Sequence, residues 1–150
     1  MICSSLQCDL GFRGRTSEHR SWRMQVRDLD FAIDIVGGDI LREADGVACS
    51  SRNARLSEEA RSRAPCVHKG LQCALQAWRS GERKSTALRN EVLAMLEACG
   101  ASVDYVEVVH AQTLASLNDV EGQQAVIAVA AFFPATDGTT VRLIDNMQLM

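Results

Sequence analysis

The sequence predicts an α+β domain in which two helices precede a three-stranded antiparallel sheet. Two observations support this prediction. Between about residues 57 and 99, apolar side chains recur every three or four positions, which is the spacing of one buried helix face. From about residue 103 onwards, apolar residues alternate or form continuous runs, and β-branched side chains become frequent. Helices followed by strands favour packing of the helices on one face of the sheet.

The first predicted helix begins at Ser57, because serine is a good N-cap and two glutamates follow where the helix dipole favours negative charge. Pro65 lies inside the periodic segment, and since proline removes a backbone hydrogen bond, we expect a kink or a restart there. Gly81 ends the element. Its inward face is formed by Ala60, Ala64, Val67, Leu71, Leu75 and Trp78.

The second predicted helix extends from about residue 85 to residue 99, and Gly100 is a natural residue for the position just after its end. The same three- and four-residue spacing identifies the side that faces the core. That side consists of Leu88, Val92, Met95, Leu96 and Cys99.

Three strands are predicted after the helices. Residues 103–109 alternate imperfectly between apolar and polar side chains, whereas residues 125–133 form a continuous apolar run that is typical of a buried strand. The Asp137-Gly138 pair indicates a turn, and residues 141–144 form the third strand.

The segment before the first helix is less regular. Residues 23–29 have the pattern of a helix end, and residues 31–36 predict a short strand because they are rich in β-branched side chains. Glycines within residues 37–39 predict a turn. From residue 40 to residue 53 we expect a polar, irregular loop.

Residues 1–22 match no element. Their arginines and serines are compatible with an organelle transit peptide. Asp9 and Glu18 interrupt that pattern, and no amphipathic face emerges, so a disordered N-terminus is the favoured interpretation.

Composition limits the class of protein. The chain has 150 residues, of which 47% are hydrophobic and 23% charged, and this is sufficient for one domain with its own core. A net charge of -3 gives no basic excess, so neither nucleic acid nor a membrane surface is expected as a partner. No apolar run approaches the roughly 20 residues that span a bilayer.

The six cysteines contain no Cys-x-x-Cys pair, and the three histidines are scattered along the chain. Metal sites require clustered ligands, so no protein metal site is predicted. Scattered cysteines without an export signal indicate reduced thiols, and therefore a cytoplasmic protein.

Residues 42–53 combine the residue types that phosphate binding requires. Gly46 allows a tight backbone, whereas Ser50 and Ser51 supply adjacent hydroxyl groups. Arg52 supplies a planar, permanently charged guanidinium that suits phosphate oxygens. A loop of this kind before a helix can hold a triphosphate and stabilise the charge that develops on leaving pyrophosphate.

Local chemistry alone leaves a second interpretation open, in which the loop is a solvated turn and Asn53 or Ser57 caps the following helix. The wider sequence is more specific. The string Arg42-Glu-x-Asp-Gly-x-Ala-x-Ser-Ser-Arg-Asn53, followed by Leu56-Ser57, resembles the signature of the pantothenate synthetases. Further blocks resemble the family in the same order, namely Val26-Arg27-Asp28-Leu29, residues 33–37, residues 103–109 with Thr113-Leu114, and residues 142–146.

This resemblance implies a ligase that uses ATP and Mg²⁺ to convert pantoate to pantoyl adenylate, which β-alanine then attacks to give pantothenate. By position in the signature, Ser50, Ser51 and Arg52 would be the catalytic residues that contact phosphate oxygens of ATP. Leu41 and Cys49 would line the nucleotide pocket near the adenosine.

The resemblance also implies an arrangement of domains. Residues 23–48 would be the end of a Rossmann-like nucleotidyltransferase domain that binds ATP, and residues 49–150 a C-terminal lid and dimerisation domain. Residues 1–22 are unmatched. The expected partners are small molecules and a second copy of the chain in a homodimer.

Two family motifs do not occur in these 150 residues, a His-x-Gly-His motif and a Gly-x-Lys-Asp motif that the family carries in its N-terminal half. Two functional hypotheses therefore follow. One is the ligase. The alternative is a non-catalytic α+β module that self-associates or pairs with a separate N-terminal half.

Overall fold

A computed structural model describes residue 26, residues 28–32 and residues 39–149 of the chain. Residues 39–149 form a short 3-10 helix, three α-helices and three β-strands, in that order. The elements are the 3-10 helix Ser51–Arg55, α1 (Glu58–Arg63), α2 (Cys66–Arg79), α3 (Ser85–Ala98), β1 (Ser102–His110), β2 (Ala125–Pro134) and β3 (Thr140–Leu149). The predicted α+β order is confirmed.

Pro65 divides the first predicted helix into α1 and α2. The Ser57 hydroxyl caps α1 by accepting a hydrogen bond from the backbone N–H of Ala60 at 3.2 Å, as its sequence position predicts. α1 ends at Arg63, and Pro65 is the N-cap of α2. The interruption is therefore a restart of the helix.

α3 ends in the manner that Gly100 predicts. This glycine has a φ of +65°, in the left-handed region that favours glycine. Its N–H donates to the carbonyl oxygen of Glu97 at 2.9 Å, and the N–H of Ala101 donates to that of Leu96 at 3.0 Å. These two bonds form a Schellman motif, which satisfies carbonyl groups at the end of the helix.

The three strands form an antiparallel sheet in the order β1-β2-β3. β3 continues to Leu149, beyond the predicted end at residue 144. The prediction stopped early because Asp145 and Asn146 interrupt the apolar pattern. In the fold Asp145 is buried on the side of the sheet that faces the helices, where a side chain of opposite charge pairs with it.

A β-bulge in β1 explains the imperfect alternation in its sequence. Val103 pairs with Ala131, whereas Tyr105 pairs with the next residue of β2, Ala130, so Asp104 is the extra residue. After the bulge, the side chains that face the core fall on even-numbered positions.

The core lies between one face of the sheet and helices α2 and α3, which also pack against each other. α3 contacts β1, and α2 contacts β3. Gly70 permits the close approach of the helices, because a Cβ there would lie 3.3 Å from the Cα of Val92. The largest fully buried side chains include Phe133, Leu71, Leu88, Leu96 and Ile127.

The described residues before residue 41 agree with the predicted helix end. Val26 and Asp28 are helical, and the N–H of Phe31 donates to the carbonyl oxygen of Val26 at 3.0 Å. The predicted strand at residues 31–36 lies mostly outside the described residues, as does the whole of residues 1–22.

Candidate functional site

Residues 41–49 form a tight hairpin, where the sequence predicted an irregular loop. The N–H of Cys49 donates to the carbonyl oxygen of Leu41 at 2.9 Å, and the N–H of Gly46 donates to that of Glu43 at 2.9 Å. Gly46 has a φ of +92°, so the turn requires the conformational freedom of glycine. Periodicity missed the hairpin because its strands are too short to show an alternating pattern.

The 3-10 helix Ser51–Arg55 follows directly. Ser50 is its N-cap, and the Ser50 hydroxyl accepts a hydrogen bond from the backbone N–H of Arg52 at 3.3 Å. The predicted loop therefore ends in a defined turn of helix. Asn53 does not cap α1, because Ser57 fills that role.

The hairpin brings the five predicted site residues together. It places Leu41 beside Cys49, and the chain continues from Cys49 into Ser50, Ser51 and Arg52. All five are exposed, and the exposed fraction of Leu41 is 58%. No residue in the described part of the chain forms an ion pair with the Arg52 guanidinium.

A buried ion pair fixes the hairpin to β3. The Arg42 guanidinium donates from Nη1 to Oδ2 of Asp145 at 2.7 Å and from Nη2 to Oδ1 at 3.0 Å. The side chain of Asp145 is only 3% exposed. Nη1 of Arg42 also donates to the carbonyl oxygen of Gly46 at 3.0 Å. One guanidinium therefore bonds both the sheet and the tip of the hairpin.

Arg61 of α1 holds the other side of the hairpin. Its Nη2 lies 2.6 Å from Oε2 of Glu43, and its Nη1 lies 2.5 Å from Oδ2 of Asp45. Hydrogen bonds from the Asn53 amide and from Arg61 lower the pKa of Glu43. The hydrogen bond from Arg61 is also the largest cause of the lowered pKa of Asp45. Both carboxylates therefore remain charged and paired at neutral pH.

Asn53 and His68 fill the space beneath the hairpin. Nδ2 of the buried Asn53 donates to Oε1 of Glu43 at 2.7 Å and to the carbonyl oxygen of Ala48 at 3.0 Å. The ring of His68 packs so closely on the hairpin tip that a Cβ at Gly46 would lie 2.7 Å from its Cδ2. His68 therefore has a structural position, as expected for a lone histidine.

His68 also lies near the buried ion pair. Its Nδ1 is 3.9 Å from Oδ2 of Asp145, and this buried nitrogen has no hydrogen-bond partner among the residues that the structure describes. Burial lowers the pKa of His68, and the charge of Arg42 lowers it further, against an opposing effect of Asp145. The imidazole is therefore neutral at physiological pH.

The far end of the 3-10 helix is attached to the turn between β2 and β3. The N–H of Thr136 donates to the carbonyl oxygen of Arg55 at 3.0 Å, and the N–H of Ser57 donates to that of Pro134 at 3.1 Å. The Arg55 guanidinium lies 3.6 Å from a carboxylate oxygen of Asp137. The segment 49–52 is thus fixed on both sides while its own side chains face solvent.

The described residues contain no cluster of three or more histidine, cysteine or carboxylate side chains that would hold a metal ion. Glu43 and Asp45 are carboxylates of the hairpin, but Arg61 pairs with both. Among the same residues, no helix is long and apolar enough to cross a membrane.

Comparison with known proteins shows the family to which the chain belongs. The family model for pantoate-beta-alanine ligase matches residues 21–148, so the chain belongs to this family. A pantoate--beta-alanine ligase from Oryza sativa subsp. japonica is 40% identical over 135 residues, which cover 88% of this chain and 41% of that protein. A pantothenate synthetase from Anaeromyxobacter dehalogenans is 49% identical over 127 residues, which cover 85% of this chain and 42% of that protein.

A solved structure gives the same result for the fold. The pantothenate synthetase from Thermus thermophilus superposes with a TM-score of 0.80 at 34% identity. The match covers 88% of this chain and 46% of that chain. The resemblance inferred from the signature blocks is therefore confirmed, as is the fold of the C-terminal domain. The chain spans less than half the length of these relatives.

The sequence pattern predicted a site at residues 49–52 but did not indicate the residues that support this segment. Asp145 gave one usable signal, since it is a charged residue at an inward position of an otherwise apolar strand, and such a residue needs a partner. The identity of that partner, Arg42, depends on tertiary packing and gave no local signal.

Proposed function

We propose that this chain takes part in the formation of pantothenate from pantoate and β-alanine at the expense of ATP, and that its segment 49–52 binds the phosphates of ATP. Family membership supports the class of reaction. The observation that carries the role of the segment is the exposed guanidinium of Arg52, which has no ion-pair partner among the described residues, beside two exposed serines on a backbone that is fixed from both sides.

The proposed reaction has two steps. A carboxylate oxygen of pantoate attacks the α-phosphorus of ATP, and the bond to the β-phosphate oxygen breaks to release pyrophosphate. The amine of β-alanine then attacks the acyl carbon of the adenylate, loses a proton, and displaces AMP. Activation is needed because a carboxylate is a poor acyl donor until its oxygen belongs to a good leaving group.

In this proposal Ser50, Ser51 and Arg52 bind and orient the polyphosphate, and Arg52 offsets negative charge on the departing pyrophosphate. Leu41 and Cys49 form an adjacent surface for the adenosine. Residues 23–48 belong to a Rossmann-like ATP-binding domain, and residues 49–150 form the lid and dimerisation domain.

Mg²⁺ would accompany ATP in such a reaction. The described residues do not provide a site for it, because the carboxylates of Glu43 and Asp45 are already paired with Arg61. Mg²⁺ is commonly held largely by substrate phosphates and water, so this proposal assigns it no protein ligand here.

Replacement of Arg52 by alanine tests the role of the segment. We expect Arg52→Ala to weaken binding of MgATP to the purified chain by about tenfold or more, because charge-assisted hydrogen bonds contribute about 1.5–3 kcal/mol. Isothermal titration calorimetry measures the dissociation constant. Arg55→Ala is the matched control, since Arg55 lies in the same 3-10 helix but bonds Asp137 and Thr139.

The proposal fails if Arg52→Ala binds MgATP as tightly as the unaltered chain, or if Arg55→Ala causes an equal loss. A chain with intact Arg52 that shows no heat of MgATP binding would also contradict it.

A second candidate function is a non-catalytic module that self-associates or pairs with a separate N-terminal half. It is favoured by three large apolar side chains that are exposed among the described residues, namely Leu29 (62%), Phe31 (55%) and Leu41 (58%). Contiguous exposed apolar patches mark protein–protein interaction sites, so these side chains are candidates for a surface that another protein covers if they lie together.

A further inference from the structure

We infer that Arg42 and Asp145 are positioning residues for the segment 49–52, and that their buried ion pair sets the conformation in which Ser50 and Arg52 meet a ligand. The predicted effect on nucleotide binding rests on the proposed function. The predicted effect on the conformation of residues 49–52 concerns the ligand-free chain and does not depend on that function.

The geometry of the pair supports this role. Both oxygens of Asp145 accept hydrogen bonds from the two terminal nitrogens of Arg42, at 2.7 and 3.0 Å. Such a two-point contact fixes the plane of the guanidinium as well as its distance. The same guanidinium bonds the carbonyl oxygen of Gly46 at 3.0 Å. The orientation of the hairpin relative to β3 is therefore specified by three hydrogen bonds from one side chain.

The hairpin continues directly into the segment 49–52, so its orientation sets where the segment begins. Arg42 and Ala48 form a β-bridge, and the N–H of Cys49 donates to the carbonyl oxygen of Leu41. Cys49 is the residue immediately before Ser50, which is the N-cap of the 3-10 helix. A rotation of the hairpin would therefore shift the starting point of the helix that carries Arg52.

The burial of Asp145 makes its pairing with Arg42 difficult to replace. Asp145 is 3% exposed at its side chain, so water cannot replace Arg42 as its partner without opening the core. The other groups against the pair in the described part of the chain include the His68 ring, the backbone at Gly46, and the N–H of Asn146, which donates to Oδ1 of Asp145 at 2.8 Å. Removal of Arg42 leaves the buried carboxylate of Asp145 without its compensating charge, whereas the Arg42 side chain is 21% exposed and is partly hydrated.

The direct test is hydrogen exchange of backbone amides in the ligand-free chain. We expect Asp145→Asn to increase exchange of peptides covering residues 41–53 by about tenfold or more, while β1 and β2 keep their protection. Asp104→Asn is the control, because Asp104 forms a two-contact pair with Arg142 of the same strand as Asp145, and no hydrogen bond or ion pair among the described residues joins Asp104 to the hairpin. Unchanged exchange of residues 41–53 in Asp145→Asn would overturn the inference.

Titration with MgATP tests the consequence for binding. A purely structural role would lower the fraction of competent chains and leave the dissociation constant of the folded ones unchanged. A positioning role predicts that Asp145→Asn raises the dissociation constant about tenfold at unchanged stoichiometry, the scale on which supporting residues act at binding sites. Arg42→Lys keeps the charge but not the two-point contact. Its dissociation constant for MgATP should lie between those of the unaltered chain and of Asp145→Asn.

The outcomes separate the inference from the function on which it rests. If Arg52→Ala leaves MgATP binding unchanged, the proposed function fails, whereas the hydrogen-exchange result still decides the structural role. If Arg52→Ala weakens binding and Asp145→Asn does not, the positioning role is refuted and the proposed function stands.

A double variant covers the case in which Asp145→Asn does not fold. Arg42→Met combined with Asp145→Leu replaces the buried pair by apolar side chains, an exchange that proteins often tolerate. We expect this variant to fold but to show fast exchange at residues 41–53. Native protection there in the folded double variant would refute the inference.

Discussion

At the scale of single residues, the support of the site depends on side chains that bond backbone of the hairpin. Asn53 is the clearest case. Local chemistry left Asn53 or Ser57 as the cap of the following helix, but the buried amide of Asn53 donates to Glu43 and to the carbonyl oxygen of Ala48. A short polar side chain that satisfies buried groups from within a turn cannot be distinguished by sequence from one that caps a helix.

His68 predicts how stability depends on pH. Its folded-state pKa lies below the ordinary value of 6.5, because of burial and the charge of Arg42. The unfolded chain therefore binds the proton more tightly than the folded chain. The stability associated with neutral His68 is intact above about pH 6.5 and is lost as the pH falls below that value.

We expect the unaltered chain to lose more stability than His68→Gln between about pH 7.5 and pH 5.5, as measured by the midpoints of urea unfolding. Glu43 and Asp45, whose pKa values are lowered, lose their contribution only below their ordinary values of 4.5 and 3.8. An equal loss in both proteins over this range would show that His68 is not the titrating group.

At the scale of elements, α1 is the short link between the site and the core. It has six residues, too few to be stable alone, so its ends must be held by other groups. The Ser57 hydroxyl caps its first turn, and Arg61 near its end pairs with the hairpin. The cap of α1 therefore contributes to the position of Arg61 as well as to helix stability.

Replacement of Ser57 measures how much the cap contributes to stability. We expect Ser57→Ala to lower the free energy of unfolding by about 1 kcal/mol, because the N–H of Ala60 loses its acceptor. Urea unfolding followed by circular dichroism measures the change. Ser57→Thr keeps the hydroxyl and serves as the control. If the threonine variant is destabilised as strongly as the alanine variant, the cap is not the source of the effect.

At the scale of the whole molecule, association is the property that the exposed apolar residues predict. We expect the purified chain to sediment as a dimer, or to form a complex when an N-terminal half from a relative is added. Phe31→Asp should weaken either association, because Phe31 is 55% exposed and a charge would oppose its burial. A chain that sediments strictly as a monomer and ignores the added half would contradict the second candidate function.

Much of the fold follows from local sequence signals. Periodicity located both predicted helices and all three strands, and Pro65 and Gly100 marked boundaries that the structure reproduces. Errors arose where tertiary contacts override local preference. β3 was predicted too short, since Asp145 is a charged residue whose burial depends on a distant arginine. The bulge at Asp104 blurred the alternation of β1 in the same way.

The candidate site was also predictable from the sequence only in part. The signature predicted a role for Ser50, Ser51 and Arg52, because their hydroxyl and guanidinium groups are contiguous in the sequence. Its supporting residues are contributed by three other elements of the fold, α1, α2 and β3. No single-sequence pattern connects residues that far apart, so the support could be found only from the structure.

The span of the buried pair has a consequence for synthesis of the protein. Arg42 and Asp145 are separated by 103 positions along the chain. During translation the segment at 49–52 emerges from the ribosome well before the last strand, and its hairpin lacks its anchor until that strand has paired with β2. Acquisition of the final conformation of the hairpin is therefore a late, long-range event, and a nascent chain that stops before Asp145 would contain the signature segment without this anchor.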